Sequence, residues 1–149
     1  MKNSDIIQKA PVILAFDAST KQLSVAVYVN GSVSAVHKIE APFGQAAELV
    51  PLAIRALADV GVEFSGLSHV AAGCGPGSFT GLRVSLAAAK GICLAQDLIG
   101  LGISGLEALA FSSLELLNGL PVLCIADTRR GNVYAQLFAS DMTPKGAIF

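Results

Sequence analysis

The chain is 149 residues long, which suits one ordinary domain, and its formal net charge at pH 7 is −1. Its Lys and Arg residues are scattered, which disfavours a protein that binds nucleic acid unaided, because such proteins usually present a basic face. Hydrophobic residues make up 53% of the chain and charged residues only 14%, yet no apolar run reaches the ~18 residues of a membrane span. The surplus of apolar side chains therefore predicts a surface that contacts another protein.

The N-terminus and the cysteines favour a cytoplasmic protein. Residues 1–10 are polar and mixed in charge, so we interpret them as a leader outside the fold and not as a signal peptide. Cys74, Cys93 and Cys124 have neither disulfide nor zinc spacing, and each lies in an apolar run or at its end. We interpret all three as buried, reduced thiols.

Three antiparallel strands are predicted to open the fold. The apolar run at 12–17 is typical of a buried strand. Over residues 23–29, Leu or Val at every second position alternates with Ser, Ala and Tyr, which is the period of a strand. Asn30 followed by Gly31 is the strongest short signal for a hairpin. The returning strand is predicted at 33–40.

A helix is predicted at 45–60, because Leu49, Ala53 and Leu57 recur at the spacing of one helical face. Pro51 lies inside this pattern. Since proline lacks a backbone N–H and crowds the preceding turn, we expect it to kink the helix or to move its start later.

A glycine-rich turn at 73–81 follows a predicted strand at 70–73. Four glycines and a proline in nine residues indicate that the backbone turns tightly or approaches another group closely. Ser78 and Thr80 are both candidate caps for the next helix. Exposed N–H groups at such a turn could hold an anion, but neither a P-loop nor a G-x-G-x-x-G pattern is present. Local chemistry therefore favours a structural turn over a phosphate site, and both interpretations stay open.

The helix after this turn is predicted at 82–94, with Arg83 and Lys90 as its charged residues. A helix that is apolar on nearly all sides is buried on two faces, so it either lies deep in the core or helps to form an interface. A short strand at 98–103 follows.

Ser104 and Glu107 then form a capping box, the signature of a helix start. Asn118 and Gly119 are predicted to end this helix. We expect it to close a first domain that spans 11–118.

An internal repeat marks the remaining residues as the start of a second domain, 119–149. The run 122–127 restates 12–17, so that Asp127 corresponds to Asp17, and at the same offset Phe138 corresponds to Tyr28. Such a repeat indicates a duplicated domain. By analogy, the order of predicted elements is that of the α/β fold of actin, sugar kinases and heat-shock chaperones, with the second copy only begun.

The glycine turn also carries a resemblance to a known family. The chain resembles the TsaB (YeaZ) family, a glycoprotease-like group, in the runs Gly75-Pro76-Gly77-Ser78-Phe79-Thr80-Gly81-Leu82-Arg83, Ala89-Lys90-Gly91 and Gly105-Leu106-Glu107-Ala108-Leu109-Ala110. The opening at 13–20 is similar as well, and the match runs in order from about residue 12 to about residue 138.

The resemblance implies an actin-like fold and a non-catalytic scaffold or dimerisation subunit for threonylcarbamoyladenosine modification of tRNA. It implies a TsaD-type transferase as partner, a TsaE-type ATPase as a further partner, and a homodimer when the chain is alone. Transfer RNA would be reached only through the complex, and no membrane is involved. No intrinsic cofactor or metal is implied, and ATP or ADP would be a ligand of the complex.

Asp17, Ser19 and Thr20 are the candidate nucleotide-phosphate residues, since in the fold that the chain resembles this turn faces a phosphate and its metal. The alternative is that Asp17 caps its own turn by accepting backbone N–H groups. For Asp127 we favour the turn cap. An actin-fold phosphotransferase that uses Asp17 and the glycine turn is the alternative function.

Histidines give no support for catalysis. His37 and His69 lie far apart in strand-like runs, and we interpret both as surface or hydrogen-bonded strand residues. The TsaD-type relative carries a metal-binding histidine pair where this chain has Gly105 and Leu109, so the resemblance argues against transferase or metallopeptidase activity.

The helices at 45–60 and 82–94 are where the resemblance places the contact with the partner. One departure from the family concerns 45–48, which read Gln-Ala-Ala-Glu where members often carry a His-Ser-Glu type segment, so a role of that histidine does not transfer. The candidate interface residues are Leu49, Ala53, Leu57, Leu82, Ala88 and Ala89.

Overall fold

A computed structural model describes residues 10–41, 43–128 and 130–149. The first three strands are β1 (Ile13–Asp17), β2 (Gln22–Val29) and β3 (Ser32–Glu40), as predicted. Asn30 and Gly31 join β2 to β3 with φ angles of 53° and 87°, the left-handed pair that a two-residue hairpin requires. Nearly all of the expected leader, residues 1–9, lies outside the described residues.

Helix α1 (Gln45–Asp59) begins where predicted, directly after Gly44, whose φ is 77°. Pro51 lies inside α1 and does not move its start, so that part of the prediction is wrong. Proline removes one hydrogen bond, whereas burial of Leu49 and Leu52 on either side of it stabilises the helix by roughly 1.5–3 kcal/mol for each side chain.

Strand β4 (His69–Gly73) leads through the glycine turn into α2 (Phe79–Gln96). This helix begins three residues before the predicted start, because Ser78 is its cap and accepts the Gly81 N–H at 3.3 Å. Thr80 lies in the first turn of α2 and is not the cap.

The next elements are β5 (Ile99–Ile103), α3 (Gly105–Ser112) and α4 (Leu114–Leu117). Ser104 caps α3 as predicted and accepts the Glu107 N–H at 3.5 Å. The single helix that was predicted here is two helices. The Ser112 and Ser113 hydroxyls both donate to the Leu109 carbonyl, at 2.8 and 2.9 Å, and such bonds compete with the helical ladder.

Two sheets result. The larger has the order β3-β2-β1-β4-β5, with β1, β4 and β5 parallel and the remaining pairs antiparallel. The smaller contains β6 (Val122–Asp127), β7 (Val133–Phe138) and β8 (Pro144–Lys145), all antiparallel.

The smaller sheet repeats the β1–β2 hairpin with one difference. Asp17 pairs with Ser24, whereas Asp127 pairs with Val133, so the turn of the second copy is one residue shorter. Phe138 pairs with Val122, and in the first copy Tyr28 pairs with Ile13. Leu123 is the residue that corresponds to Ile13, and it pairs with Leu137. The expected match of Phe138 with Tyr28 is therefore wrong by one position, since Leu137 takes the place of Tyr28.

Helices α1 and α2 cover one face of the larger sheet and share its core with Leu14, Phe16 and Val25. A second core joins α3 to the smaller sheet, through Leu106, Ala110, Cys124, Phe138 and Met142. Helix α3 thus packs on strands that follow it, and the proposed division of the chain at 118 stays a prediction. Among the described residues, no helix is both long enough and apolar enough to cross a membrane.

Candidate functional site

The glycine turn, residues 73–81, packs tightly against the turn that joins β1 to β2. A Cβ atom at Gly81 would overlap the Ala18 carbonyl oxygen, and one at Gly77 would lie 2.6 Å from the Ser19 carbonyl oxygen. Gly75 has a φ of 107°, which other residues rarely adopt. The glycines are therefore required by packing and by backbone conformation.

Backbone hydrogen bonds fix the glycine turn on both sides. The Ser78 N–H donates to the Ser19 carbonyl at 2.7 Å. On the other side, the Cys74 N–H donates to the Ile103 carbonyl at 2.9 Å, and the Gly105 N–H donates to the Gly75 carbonyl at 2.7 Å. These contacts favour the structural-turn interpretation, because they hold the turn against the chain's own backbone on both sides.

Ser85 is a buried residue that the sequence did not single out. It has no exposed surface, and its hydroxyl accepts the Ala18 N–H at 3.0 Å. Gly81, Ser85 and Ala89 are the buried residues of α2 and recur every four positions. That stripe of small residues was the available signal, since it lets the helix approach a backbone closely.

The three nucleotide-phosphate candidates lie together, and their side chains form hydrogen bonds within the β1–β2 turn and to the start of β2. The Asp17 carboxylate accepts the Ser19 N–H at 3.2 Å and the Ser19 hydroxyl at 2.8 Å. The Thr20 hydroxyl donates to the Gln22 carbonyl at 3.0 Å and accepts its N–H at 3.1 Å. This is the geometry of turn residues, and a role in phosphate binding stays a prediction.

A groove of about 520 Å³ opens beside Asp17, between the uncovered face of the larger sheet and α3. Its wall is mainly apolar. Gly105 and Leu109, the positions matched with the histidine pair of the catalytic relative, lie on its helical side. The polar side chains that reach it are Asp17, Ser19, Thr20, Ser24, Lys38 and Ser104.

The turn after Asp127 also contains side-chain hydrogen bonds of its own. The Thr128 hydroxyl donates to the Asn132 carbonyl at 2.8 Å and accepts the Arg130 N–H at 3.1 Å. Thr128 therefore helps to hold this turn. Asp127 lies at the exposed end of β6, and its interpretation as a turn cap stays a prediction. Arg129 lies outside the described residues.

The two histidines lie apart from the groove. His37 Nε2 lies 2.6 Å from Asp59 Oδ2, which links β3 to the end of α1, an acidic partner that sequence spacing did not reveal. His69 Nδ1 lies 2.9 Å from the Ser68 hydroxyl. Within the described ranges, no group of three or more His, Cys, Asp and Glu side chains could hold a metal ion.

The cysteines differ in burial. Cys124 is buried as predicted, and burial raises the pKa of its thiol. Cys93 is half-buried. Cys74 is exposed, so its predicted burial is wrong. The reason is that β4 ends at Gly73, one residue before it.

The candidate interface residues of α1 lie in the core of the larger sheet, although Leu49 also lines a groove between α1 and α2. Leu49, Ala53 and Leu57 are at most 2% exposed, because the face that they form packs on the larger sheet. On α2, Ala89 is 8% exposed, and Leu82 and Ala88 are half-buried. The spacing of Leu49, Ala53 and Leu57 correctly marked an apolar face of α1, but that face belongs to the chain's own core.

A different apolar surface lies on the outer side of the two helices. We call it the helix-pair surface, and its exposed apolar members are Val50 and Ile54, which lie one turn apart on α1. Their exposed fractions are 41% and 52%. It borders a shallow groove of about 470 Å³ between the helices, lined by Ala46, Leu49, Val50, Thr80, Arg83, Val84, Ala87 and Ala88.

Comparison with known proteins gives the family. The family model described as "TsaD: tRNA N6-adenosine threonylcarbamoyltransferase" matches residues 45–144. The tRNA threonylcarbamoyladenosine biosynthesis protein TsaB of Escherichia coli (strain K12) is 33% identical over 122 residues, which are 82% of this chain and 52% of that protein. TsaB of Bacillus subtilis (strain 168) is 31% identical over 126 residues, with 85% and 54% covered.

Solved structures agree with this assignment. YeaZ from Pseudomonas aeruginosa matches with a TM-score of 0.84 and 29% identity, over 93% of this chain and 66% of that one. The chain spans about half the length of the curated relatives that it matches. Its two sheets and their helices have the actin-like α/β fold. The chain therefore belongs to the family that the TsaD model describes and, within it, groups with the TsaB (YeaZ) proteins.

Proposed function

We propose that this chain acts in tRNA threonylcarbamoyladenosine biosynthesis as a non-catalytic subunit that binds and activates a TsaD-type transferase. The observation that carries the proposal is the helix-pair surface, where Val50 and Ile54 are exposed one turn apart on α1, beside a groove that α2 lines with Val84, Ala87 and Ala88. Contiguous exposed apolar side chains mark interaction sites in proteins. A shallow apolar groove between two helices suits a helical partner.

The groove beside Asp17 supports an accessory role over a catalytic one. The Asp17 carboxylate is bound to Ser19, and the Thr20 hydroxyl is bound to the Gln22 backbone. Gly105 and Leu109 have no side chains that could act as acid, base or metal ligand. On this proposal, tRNA, ATP and a TsaE-type ATPase are reached through the complex, in the cytoplasm.

The test is binding and tRNA modification with a purified TsaD-type partner. We expect the complex to form with the unaltered chain and to modify tRNA. Ile54→Glu should weaken binding by at least about tenfold, which corresponds to ~1.4 kcal/mol. Val33→Glu is the matched control, because Val33 is 61% exposed but lies on β3, away from the helix-pair surface. Equal binding by Ile54→Glu and Val33→Glu would contradict the proposed surface.

The groove also supports a second candidate, an actin-fold nucleotide-binding phosphotransferase. Its volume of about 520 Å³ lies in the range of small-molecule sites, and both Asp17 and Lys38 reach it. A phosphotransferase should bind and turn over ATP without a partner. Calorimetry with ATP and Mg²⁺, followed by a phosphate-release assay on the chain alone, separates this candidate from the scaffold.

A further inference from the structure

Strand β5 forms one edge of the larger sheet, and its outer side is open. It pairs with β4 on one side, and no strand lies beyond it among the described residues. All five of its residues are exposed. An open strand edge is a template for pairing with another strand.

The direction of its free backbone groups follows from one hydrogen bond. The Cys74 N–H donates to the Ile103 carbonyl at 2.9 Å, so the backbone groups of Ile103 point towards β4. Because these groups alternate along a strand, those of Leu101 and Ile99 also point towards β4. The N–H and C=O groups of Gly100 and Gly102 therefore point away from the sheet.

The two edges of this sheet differ in protection. The opposite edge, β3, carries His37, Lys38 and Glu40, and its pairing with β2 contains a register shift. Charges and irregular pairing of this kind are common devices against edge-to-edge association. Strand β5 has neither charge nor proline, and its glycines present no side chains that would shield the free backbone groups.

The sequence of β5 reads identically in both directions: Ile-Gly-Leu-Gly-Ile. In an antiparallel pair of two copies centred on Leu101, each Ile99 would lie opposite the Ile103 of the other copy. Gly100 would lie opposite Gly102, which places the free N–H and C=O groups of both strands in register. We propose that β5 is a self-association surface, distinct from the helix-pair surface, at which two copies of this chain join their sheets antiparallel about Leu101.

The geometry at the centre of this pair is defined. Since Gly100 and Gly102 exchange the hydrogen bonds, the two Leu101 residues form a non-hydrogen-bonded pair, whose Cα atoms lie about 4.5 Å apart. That spacing is within the range of a disulfide. Leu101 is 38% exposed, as is Ile103, and Ile99 is 62% exposed. Pairing would extend this apolar row across the junction of the two sheets.

Cross-linking tests the pairing directly. In a Cys74→Ser background, which removes the exposed thiol, Leu101→Cys should form a disulfide-linked dimer under mild oxidation. Val36→Cys is the matched control, because Val36 is 55% exposed on the protected edge β3. We expect several-fold more dimer from Leu101→Cys, and peptide mass spectrometry should find the bond between the two introduced cysteines. Equal yields from the two variants would overturn the proposal.

Amide exchange gives a readout that needs no introduced cysteine. The N–H groups of Gly100 and Gly102 should exchange more slowly as protein concentration rises, and Leu101→Lys should abolish that dependence, because it sets two like charges opposite each other. Protection that is independent of concentration would mean that another part of the same chain covers the edge, which also overturns the proposal. Both experiments are repeated with Ile54→Glu, which separates pairing at β5 from any contact through the helix-pair surface.

Discussion

At the scale of single residues, the glycine turn is a packing device. Gly77 and Gly81 admit the backbone of the β1–β2 turn, and Ser85 fixes that turn by accepting the Ala18 N–H. The composition of this turn singled it out in the sequence. Composition alone does not show whether a ligand or the chain itself fills the space beside each glycine.

Replacement of Gly81 should show how little space it has. Gly81→Ala places a Cβ against the Ala18 carbonyl oxygen, and we expect a loss of about 3 kcal/mol in the free energy of unfolding, at the upper end of overpacking costs. Gly91→Ala is the matched control in the same helix, since a Cβ there meets no atom within 4 Å. It should gain about 0.5–1 kcal/mol. Urea unfolding measures both, and similar values would contradict the packing argument.

Ser85→Ala should leave the Ala18 N–H buried without an acceptor. The expected cost is about 1–3 kcal/mol, the penalty of an unsatisfied buried donor. Ser34→Ala serves as the control, because Ser34 is exposed on β3 and surface substitutions usually stay within about 0.5 kcal/mol. A shift of the urea midpoint at constant slope gives the comparison. No difference between the two variants would show that water replaces the hydroxyl.

At the scale of elements, helix boundaries were the least predictable feature. The strands came out within one residue of prediction because alternation and apolar runs mark them directly. The start of α2 lay three residues before the predicted one, since Ser78 and Thr80 are both residue types that cap helices. Ser78 is the cap because its N–H is bound to the Ser19 carbonyl, which holds it at φ −58° and ψ 120°, outside the helical conformation.

The two candidate caps can be separated by substitution. Ser78→Ala should destabilise the chain by about 1 kcal/mol, since the Gly81 N–H loses its acceptor. Thr80→Ala should be neutral or slightly stabilising, because alanine has the higher helix propensity within a first turn. Thermal unfolding followed by circular dichroism compares them. The reverse order of stability would mean that α2 begins later, as the sequence had suggested.

At the scale of the whole molecule, association is the property to measure. Without a partner, we expect a homodimer through the helix-pair surface, and Ile54→Glu should return it to a monomer in dilute solution by light scattering. Ala89, a candidate interface residue from the sequence, is a poor site for such a change, because it is 8% exposed and a charge there would disrupt the core. Val33→Glu should leave the dimer intact. A dimer that persists when Ile54→Glu is combined with Leu101→Lys, which blocks pairing at β5, would contradict a homodimer through the helix-pair surface.

The sequence by itself determined the order of strands and helices, the hairpin at Asn30 and Gly31, the cap at Ser104 and the internal repeat, because each depends on local conformational preference or on a periodic pattern. Tertiary structure decided which apolar face of α1 is core and which is exposed. It also decided that α3 packs on the second sheet and that Asp59 meets His37. These outcomes depend on contacts between distant residues, and a spacing along the chain carries no information about what lies across from it in space.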